Sequence, residues 1–285
     1  MFLISDAYLD NLIEEDLHIV DMTVEALGIE DASGTLDCFP KKNCVVAGVE
    51  EAARIFARVG AEVEMCRKSG SPVEEGTIVL RVRGGAGRLH AVYKLAQNVM
   101  EYSSGIATRC AAMVASARRV SKSIEVLVTR KHFPGGKKLS LKAALAGGAG
   151  IHRLGLSDSI LVFDQHREFI GGSDGFAKMV PAIAERLPEK KIAVEAGSPE
   201  EAVAFALAGV DIIQCERFDL TELADCVKEI RGINPNAKVT AAGGVNAENA
   251  AQYAATGVDV LVTSWPFFGK PEDIKMKFSR PGTAT

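Results

Sequence analysis

The second half of the chain alternates between short apolar, β-branched runs and longer segments in which apolar residues recur at helical spacing. Six runs have the length and composition of buried strands: SIEVLVTR (123–130), SILVFD (159–164), KIAVEA (191–196), VDIIQCE (210–216), AKVTAAGG (237–244) and VDVLVTS (258–264). Strands that are apolar on both faces and separated by helices are typical of a parallel sheet covered by helices. Six or seven such units predict a complete or incomplete α/β barrel rather than an open sheet.

The first hundred residues have a different pattern, which predicts a small mixed α+β domain. A short helix at about 6–15 precedes the strand-like runs CVVAGVE, AEVEMCR and GTIVLRVRG. A helical stretch at 90–120 is interrupted by Ser103-Ser104-Gly105, where we place a break and the domain boundary. The sequence therefore predicts an N-terminal domain at 1–104 and a barrel at 105–268. The C-terminal segment 269–285 is expected to pack on the first domain and to be partly disordered beyond Arg280.

Composition excludes several classes of protein. The chain has 285 residues, 47% of them hydrophobic, and a net charge of −4, so it has enough apolar material for a core. No apolar run approaches the ~18 residues of a membrane-spanning helix, and the acidic start does not resemble a signal peptide. Six cysteines without a CxxC pair predict reduced thiols in a cytoplasmic protein.

The charge distribution points to a small anionic ligand. Residues 118–153 contain nine basic side chains against the single acid Glu125, within a chain that is acidic overall. A nucleic-acid-binding protein usually has a basic domain, so we expect no nucleic-acid partner. For Lys137, Lys138 and Lys142 alone, a solvated helix face is the better interpretation.

Catalytic groups of parallel α/β barrels lie at the carboxyl ends of the strands. The predicted strand ends carry Thr129-Arg130-Lys131, Asp164, Glu195, Glu216, Gly243-Gly244 and Ser264. The glycine pair follows a strand and precedes a helix predicted to start near Asn246, an arrangement that lets backbone N–H groups approach a phosphate. The alternative is that these glycines only turn the chain.

Two further pairs could carry chemistry. His152-Arg153 lies in a glycine-rich run, which favours a ligand loop over a structural histidine. Glu195 and Glu216 end successive strands and could bind sugar hydroxyls, hold Mg²⁺ or stabilise a developing cation. A salt bridge between these acids and the nearby arginines is an equally good interpretation of the sequence alone.

These motifs resemble the quinolinate phosphoribosyltransferase family, also called carboxylating nicotinate-nucleotide pyrophosphorylase. The resemblance lies in TRKHFPGGKK, GGAGIHRLGLSD and LVFDQH, and it extends through YSSGIAT, IAVEAGSPEEA and AAGGVNAENA, so that it covers nearly the whole chain. The motif TRK-x-FPGGKK resembles that of the ModD branch of the family, whose pyrophosphorylases are associated with molybdenum-uptake genes.

The resemblance implies a type II phosphoribosyltransferase: a mixed N-terminal domain, an open α/β barrel and a homodimer, or a hexamer, with shared active sites. It implies transfer of phosphoribosyl from phosphoribosyl pyrophosphate to an aromatic nitrogen base, with Mg²⁺ and no tightly bound organic cofactor. If the base is quinolinate, the products are nicotinate mononucleotide, carbon dioxide and pyrophosphate. The implied catalytic residues are Glu195, Glu216, Arg130 and Lys131.

The implied ligand contacts involve further residues. Substrate would be bound by Lys94 from the partner subunit and by Thr129, Arg130, Lys131, His152, Arg153, Glu195 and Glu216. Phosphate would be bound by Ala242, Gly243, Gly244, Thr263 and Ser264. Metal would be held by Glu195 and Glu216 through phosphoribosyl pyrophosphate.

The sequence departs from the family pattern at several of these positions. The family has Asp, Lys, Arg, Asp-Asn, Ser and Gly where this chain has Val128, Phe163, Lys94, Glu216-Arg217, Ala242 and Ser264. A second hypothesis is therefore a binding protein for a nucleotide or an oxyanion that has lost the chemistry. A generic barrel aldolase or isomerase, with Lys131 as its lysine, is a third.

Overall fold

The computed structural model describes residues 3–280, and the chain forms two compact units. Unit 1 combines the residues up to Ala111 with residues 133–148 and the C-terminal residues from Phe267. Unit 2 combines residues 112–132 and 149–266. The predicted disorder beyond Arg280 lies outside the described residues.

Unit 1 is built on an antiparallel sheet with the strand order β13-β1-β5-β3. Its strands are β1 (Ser33–Pro40), β2 (Cys44–Val45), β3 (Glu62–Met65), β4 (Pro72–Val73), β5 (Leu80–Gly85) and β13 (Ile274–Ser279). Its helices are α1 (Asp6–Leu17), α2 (Met22–Leu27), α3 (Val49–Arg58), most of α4 (Ala86–Arg118) and α5 (Lys137–Ala146). Strand β13 pairs with β1 along its whole length, so the C-terminal segment completes this sheet.

The predicted break in the long helix is wrong. Helix α4 runs without interruption through Ser103, Ser104 and Gly105. Both serines are buried, and Ser104 Oγ accepts a hydrogen bond from the Ala47 backbone N–H at 3.0 Å. A Cβ on Gly105 would come within 2.9 Å of the Lys270 carbonyl oxygen. These residues are small and polar because unit 1 packs closely against them, and not because the helix ends there.

Unit 2 contains a seven-stranded parallel sheet with the order β7-β6-β12-β11-β10-β9-β8. Its strands are β6 (Glu125–Val128), β7 (Gly150–Ile151), β8 (Ile160–Val162), β9 (Ile192–Ala196), β10 (Ile212–Glu216), β11 (Lys238–Ala242) and β12 (Val260–Thr263). Its helices are α6 (Asp164–Arg167), α7 (Gly172–Arg186), α8 (Pro199–Leu207), α9 (Leu220–Ile233) and α10 (Ala250–Ala255). Strands β7 and β8 form the two edges, which confirms the predicted open parallel α/β barrel.

All six predicted strands of the second half exist, each somewhat shorter than its apolar run. Strand β7 was not predicted, because two residues give no periodicity. Helix α5 lies between two barrel strands in sequence but groups with unit 1, which local patterning does not indicate. All six cysteines are unbridged, as predicted, and five are buried. None of the helices in residues 3–280 is both long and apolar enough to cross a bilayer.

Candidate active site

The register of the parallel sheet places the candidate side chains of the strands on one face. Glu195 pairs with Gln214, Gln214 pairs with Thr240, and Glu216 pairs with Ala242. Paired residues of neighbouring strands share a face, and alternate residues along one strand return to it. Glu195, Gln214, Glu216, Thr240 and Ala242 therefore share one face, while Cys215 and the other residues between them are buried on the opposite face.

Arg153 is the most unusual cation of unit 2. The residue is only 8% exposed, yet within residues 3–280 no acidic group forms an ion pair with it. Burial, and then the nearby Arg130, lower the pKa of Arg153, and burial together with Arg153 lowers the pKa of His152. A largely buried guanidinium with a second cation nearby needs an anion to compensate its desolvation. The structure thus gives Arg153 and Arg130 the electrostatics of an anion site.

Phe163 is in contact with Arg153. The guanidinium carbon lies 5.6 Å from the centroid of the Phe163 ring, within the range of a cation–π contact. The imidazole of His166 stacks on the same ring at 5.7 Å, and its Nδ1 accepts the Phe163 backbone N–H at 2.9 Å. The aromatic side chain at the end of β8 thus helps to position the buried cation.

Glu195 is held by a buried neighbour. Gln214 is 5% exposed, and its Nε2 donates a hydrogen bond to Glu195 Oε2 at 3.0 Å. Burial, and next the Glu216 carboxylate, raise the pKa of Glu195, whereas the bond from Gln214 lowers it. Gln214 Oε1 and Thr240 Oγ1 are buried without a hydrogen-bond partner in the described part of the chain. No pattern in the sequence indicates this polar layer, because the single glutamine in IIQCE lies within an otherwise ordinary strand.

Arg167 supports the main chain at Glu195. It is 3% exposed, donates a hydrogen bond to the Glu195 carbonyl oxygen and pairs with both Asp164 and Glu201. Its guanidinium carbon also lies 5.2 Å from the centroid of the Phe205 ring. Asp164, one of the predicted strand-end acids, thus forms an ion pair with the buried Arg167 while its side chain stays exposed.

Glu216 and Arg217 lie against the first glycine of the predicted phosphate loop. Gly243 has φ +85°, and a Cβ there would come within 2.4 Å of Arg217 Cγ and 2.7 Å of Glu216 Oε1. Only glycine fits, because both the space and the backbone conformation exclude a side chain. Arg217 Nε lies 3.7 Å from Glu216 Oε1, so one of the expected salt bridges between acid and arginine forms within the site.

The Gly243-Gly244 loop is fixed by two asparagines. Asn249 Nδ2 donates to the Gly244 carbonyl oxygen at 3.1 Å, and Asn246 N–H donates to Asn249 Oδ1 at 2.8 Å. The prediction of a helix from Asn246 is wrong: α10 begins at Ala250 and has six residues. The asparagines bond the turn instead. A phosphate at this loop would be bound by backbone N–H groups of the glycine turn and not by a long helix.

Thr263 connects this loop to the end of β12. Its buried Oγ1 donates to the Val245 carbonyl oxygen at 2.7 Å and accepts from the Trp265 N–H at 3.0 Å. The hydroxyl is therefore occupied, and Thr263 supports the loop from behind. Thr129 N–H donates to the Thr263 carbonyl oxygen at 2.9 Å, which places Thr129 next to Ser264 at the same edge of the sheet.

The remaining predicted cations have different surroundings. Arg130 and Lys131 are exposed just beyond β6, and the Lys131 N–H bonds Thr129 Oγ1. Lys94 lies on α4 in unit 1, where its ammonium donates to Gln97 Oε1 at 2.7 Å. The solvated helix face predicted for Lys142 is wrong, because this residue belongs to unit 1 and pairs with Glu51 at 2.7 Å, where it neutralises a buried acid.

The donor set fits a cation that arrives with a phosphorylated substrate. Within residues 3–280 no three His, Cys, Asp or Glu side chains cluster closely enough to hold a metal ion alone. Glu195 and Glu216 provide two carboxylates near enough to repel each other. Mg²⁺ is commonly bound by one or two carboxylates together with substrate phosphates, which matches this pair.

Comparison with known proteins identifies the family of this chain. Residues 106–277 match the family described as quinolinate phosphoribosyl transferase, C-terminal domain, and residues 21–104 match the N-terminal domain of the same family. The chain belongs to the quinolinate phosphoribosyltransferase family. Proteins of this family are pentosyltransferases, and the anion site, the carboxylate pair and the glycine loop described above all lie in the part that matches its C-terminal domain.

Individual relatives place the chain within the quinolinate phosphoribosyltransferase family. The protein named "Putative pyrophosphorylase ModD" of Rhodobacter capsulatus is 41% identical over 90% of this chain and 98% of its own length. The protein of the same name in Pasteurella multocida is 35% identical over 97% and 98%. The crystal structure of NadC from Streptococcus pyogenes superposes with a TM-score of 0.86 and 26% identity, covering 96% of both chains.

Proposed function

We propose that this protein transfers the phosphoribosyl group of phosphoribosyl pyrophosphate to an aromatic nitrogen base. The observation that carries the proposal is Arg153, a buried guanidinium with no acidic partner among residues 3–280. Arg153 follows β7, so it lies at the carboxyl ends of the parallel strands, as do Glu195, Glu216 and the Gly243-Gly244 loop. This combination suits a substrate that carries phosphate, pyrophosphate and a ribose whose anomeric carbon becomes positively charged in the transition state.

The cations would bind the anionic parts of the two substrates. Arg153 and Arg130 have the planar guanidinium that binds carboxylates and phosphates through paired hydrogen bonds. Burial and the neighbouring Arg153 lower the pKa of His152, which favours its neutral imidazole, and this group would serve as a hydrogen-bond partner for the ligand. Lys131 follows Arg130 just beyond β6 and adds an exposed cation.

The carboxylates would act on the ribose. The ring nitrogen of the base attacks the anomeric carbon, the bond from that carbon to oxygen breaks, and pyrophosphate leaves with the electron pair. Glu195 and Glu216 would hold the ribose hydroxyls and favour the positive charge that develops on the sugar. When bound with the substrate, Mg²⁺ would neutralise charge on the pyrophosphate, and these two residues would hold it.

The acceptor is proposed to be quinolinate-like, an aromatic ring with a carboxylate. With quinolinate itself, one carboxylate would be lost as carbon dioxide and the product would be nicotinate mononucleotide. The family supports this acceptor class, whereas Phe163, in contact with Arg153, places an aromatic ring where the family has a lysine. The similarity to ModD proteins supports a further proposal, that the enzyme works in molybdenum metabolism.

A further proposal concerns the assembly. We propose a homodimer in which Lys94 reaches the active site of the partner subunit, as the family resemblance implies. Lys94 is exposed on α4, as a residue that reaches a partner subunit has to be, and its ammonium donates a hydrogen bond to Gln97 of the same helix.

The test is pyrophosphate release from phosphoribosyl pyrophosphate and Mg²⁺, with quinolinate, nicotinate and other aromatic carboxylates offered separately. We expect release with at least one of these acceptors. We also expect Arg153→Ala to lower kcat/KM by about 10- to 150-fold, because hydrogen bonds to charged groups are worth about 1.5–3 kcal/mol. Circular dichroism of the variant checks that its fold is unchanged.

The possible results separate the two candidate functions. If no acceptor gives pyrophosphate release while phosphoribosyl pyrophosphate still binds, the result would favour a binding protein on the same scaffold. Full activity of the Arg153→Ala variant would contradict the role given to the buried guanidinium, whatever the acceptor.

A further inference from the structure

We infer that Arg217 is a phosphate-binding residue of this site and contacts the 5′-phosphate of the phosphoribosyl substrate. The inference rests on the proposed function and adds a cation that neither the family pattern nor the sequence analysis assigned. It is carried by the backbone conformation of Arg217 and by the position of its side chain on the glycine loop.

The backbone of Arg217 has a conformation that arginine rarely adopts. Its φ is +61°, and among residues 3–280 only His18 and Arg217 have a positive φ without being glycine. The left-handed conformation is unfavourable for most residues with a Cβ, and glycine or asparagine would fit it more easily. An arginine at such a position implies that its guanidinium has a use there, since local stability favours another residue.

The surrounding hydrogen bonds fix this conformation next to the glycine loop. Arg217 N–H donates to the Ala242 carbonyl oxygen at 2.9 Å, which joins the ends of β10 and β11. The residue after Ala242 is Gly243, and Arg217 Cγ occupies the space that a Cβ on Gly243 would need. The aliphatic part of the arginine thus lies directly on the loop whose backbone N–H groups are proposed to bind phosphate.

The guanidinium remains available to a ligand. The side chain is 83% exposed, and within residues 3–280 its one ion-pair contact joins Nε to Glu216 Oε1 at 3.7 Å. That distance is too long for a hydrogen bond, and an exposed ion pair of this kind contributes little to stability. The ion pair alone therefore does not offset the cost of the left-handed backbone, whereas contacts to a phosphate would.

The test measures binding of ribose 5-phosphate and of inorganic pyrophosphate by calorimetry, using the wild type and the Arg217→Asn and Arg217→Lys variants. We expect Arg217→Asn to weaken ribose 5-phosphate binding about 10- to 100-fold, with Arg217→Lys in between. Pyrophosphate binding is expected to change less than threefold, because Arg217 lies on the glycine loop, which is proposed to bind the 5′-phosphate and not the pyrophosphate. The matched control is Lys228→Ala, which removes an equally exposed cation paired with Asp225 on α9.

Thermal unfolding separates a ligand contact from a structural role. Asparagine tolerates a positive φ, so Arg217→Asn is expected to melt at the temperature of the wild type or above it. A lower melting temperature, or unchanged ribose 5-phosphate affinity in this variant, overturns the inference about Arg217 while leaving the proposed function in place. A wild type that binds neither ribose 5-phosphate nor phosphoribosyl pyrophosphate overturns both.

Discussion

Among single residues, Phe163 bears most directly on which base the enzyme accepts. Its ring contacts both the buried guanidinium of Arg153 and the imidazole of His166. An aromatic ring can pack against a planar base but offers no charge to a second carboxylate. The residue therefore favours an acceptor with fewer negative charges than a dicarboxylate.

Phe163→Lys tests this interpretation. We expect the kcat/KM ratio of quinolinate to nicotinate to rise about tenfold or more, because the new ammonium can pair with the additional carboxylate. Phe163→Leu is the control, since it removes the ring without adding charge and should lower activity with both acceptors alike. Steady-state kinetics with the two acids provide the measurement, and an unchanged ratio in the lysine variant would contradict the argument.

Single residues also show where sequence reasoning stops. Glu195 and Glu216 could be selected because each ends a recognisable strand, and His152 and Arg153 because they lie in a glycine-rich run. The sequence could not distinguish Arg153, which is buried, from Arg130, which is exposed, since burial depends on residues distant in the chain. For the same reason Gln214 was overlooked, although it holds the Glu195 carboxylate.

At the scale of elements, the loops after β11 and β12 form one structure. The Thr263 hydroxyl bonds both the Val245 carbonyl oxygen and the Trp265 N–H, so it connects the glycine loop to the last strand of the barrel. The proposed phosphate loop is therefore supported by Thr263 through the backbone at Val245.

Thr263→Val removes both hydrogen bonds and keeps the shape of the side chain. Leaving buried backbone groups unpaired costs roughly 1–3 kcal/mol, so we expect ribose 5-phosphate to bind about tenfold more weakly. Calorimetric titration measures the effect. Thr256→Val is the matched control, because Thr256 Oγ1 bonds only the local Tyr253 carbonyl oxygen, and it should leave the affinity unchanged. Equal affinities of the two variants would exclude a role of Thr263 in the loop.

Elements also differ in how well local patterns predicted them. Six of the seven barrel strands were found because each is a continuous apolar run, whereas β7 is too short to show a pattern, and β1 and β13 were missed. Helix α4 was cut at Ser103-Ser104-Gly105 because small polar residues usually end helices, yet here they allow close packing within unit 1.

At the scale of the whole molecule, the chain contributes to each unit more than once. Residues 133–148 lie between two barrel strands in the sequence but belong to unit 1. There Lys142 pairs with Glu51, a residue that is 1% exposed. Glu51 Oε2 has no hydrogen-bond partner within residues 3–280, so Lys142 is a main source of compensation for this buried carboxylate.

Lys142→Met is therefore expected to destabilise unit 1. Removing one partner of a buried ion pair typically costs about 3–5 kcal/mol, and adding Glu51→Gln should recover part of the loss. Urea unfolding measures both variants. Lys138→Met removes an exposed lysine of the same helix and should change the free energy of unfolding by less than about 0.5 kcal/mol. If Lys142→Met is no more costly than this control, the pair does not stabilise unit 1.

The sequence by itself determined the parallel α/β class, the positions of the barrel strands and the family. It also placed candidate chemistry at the strand ends. These features follow from local periodicity and from short motifs, which neighbouring residues specify. Only the tertiary structure decided that α5 belongs to unit 1, that β13 pairs with β1, that Glu195, Gln214 and Thr240 share a layer, and that Arg217 adopts a left-handed conformation on Gly243. Each of these depends on contacts between segments that are far apart in the chain, and no local pattern encodes them.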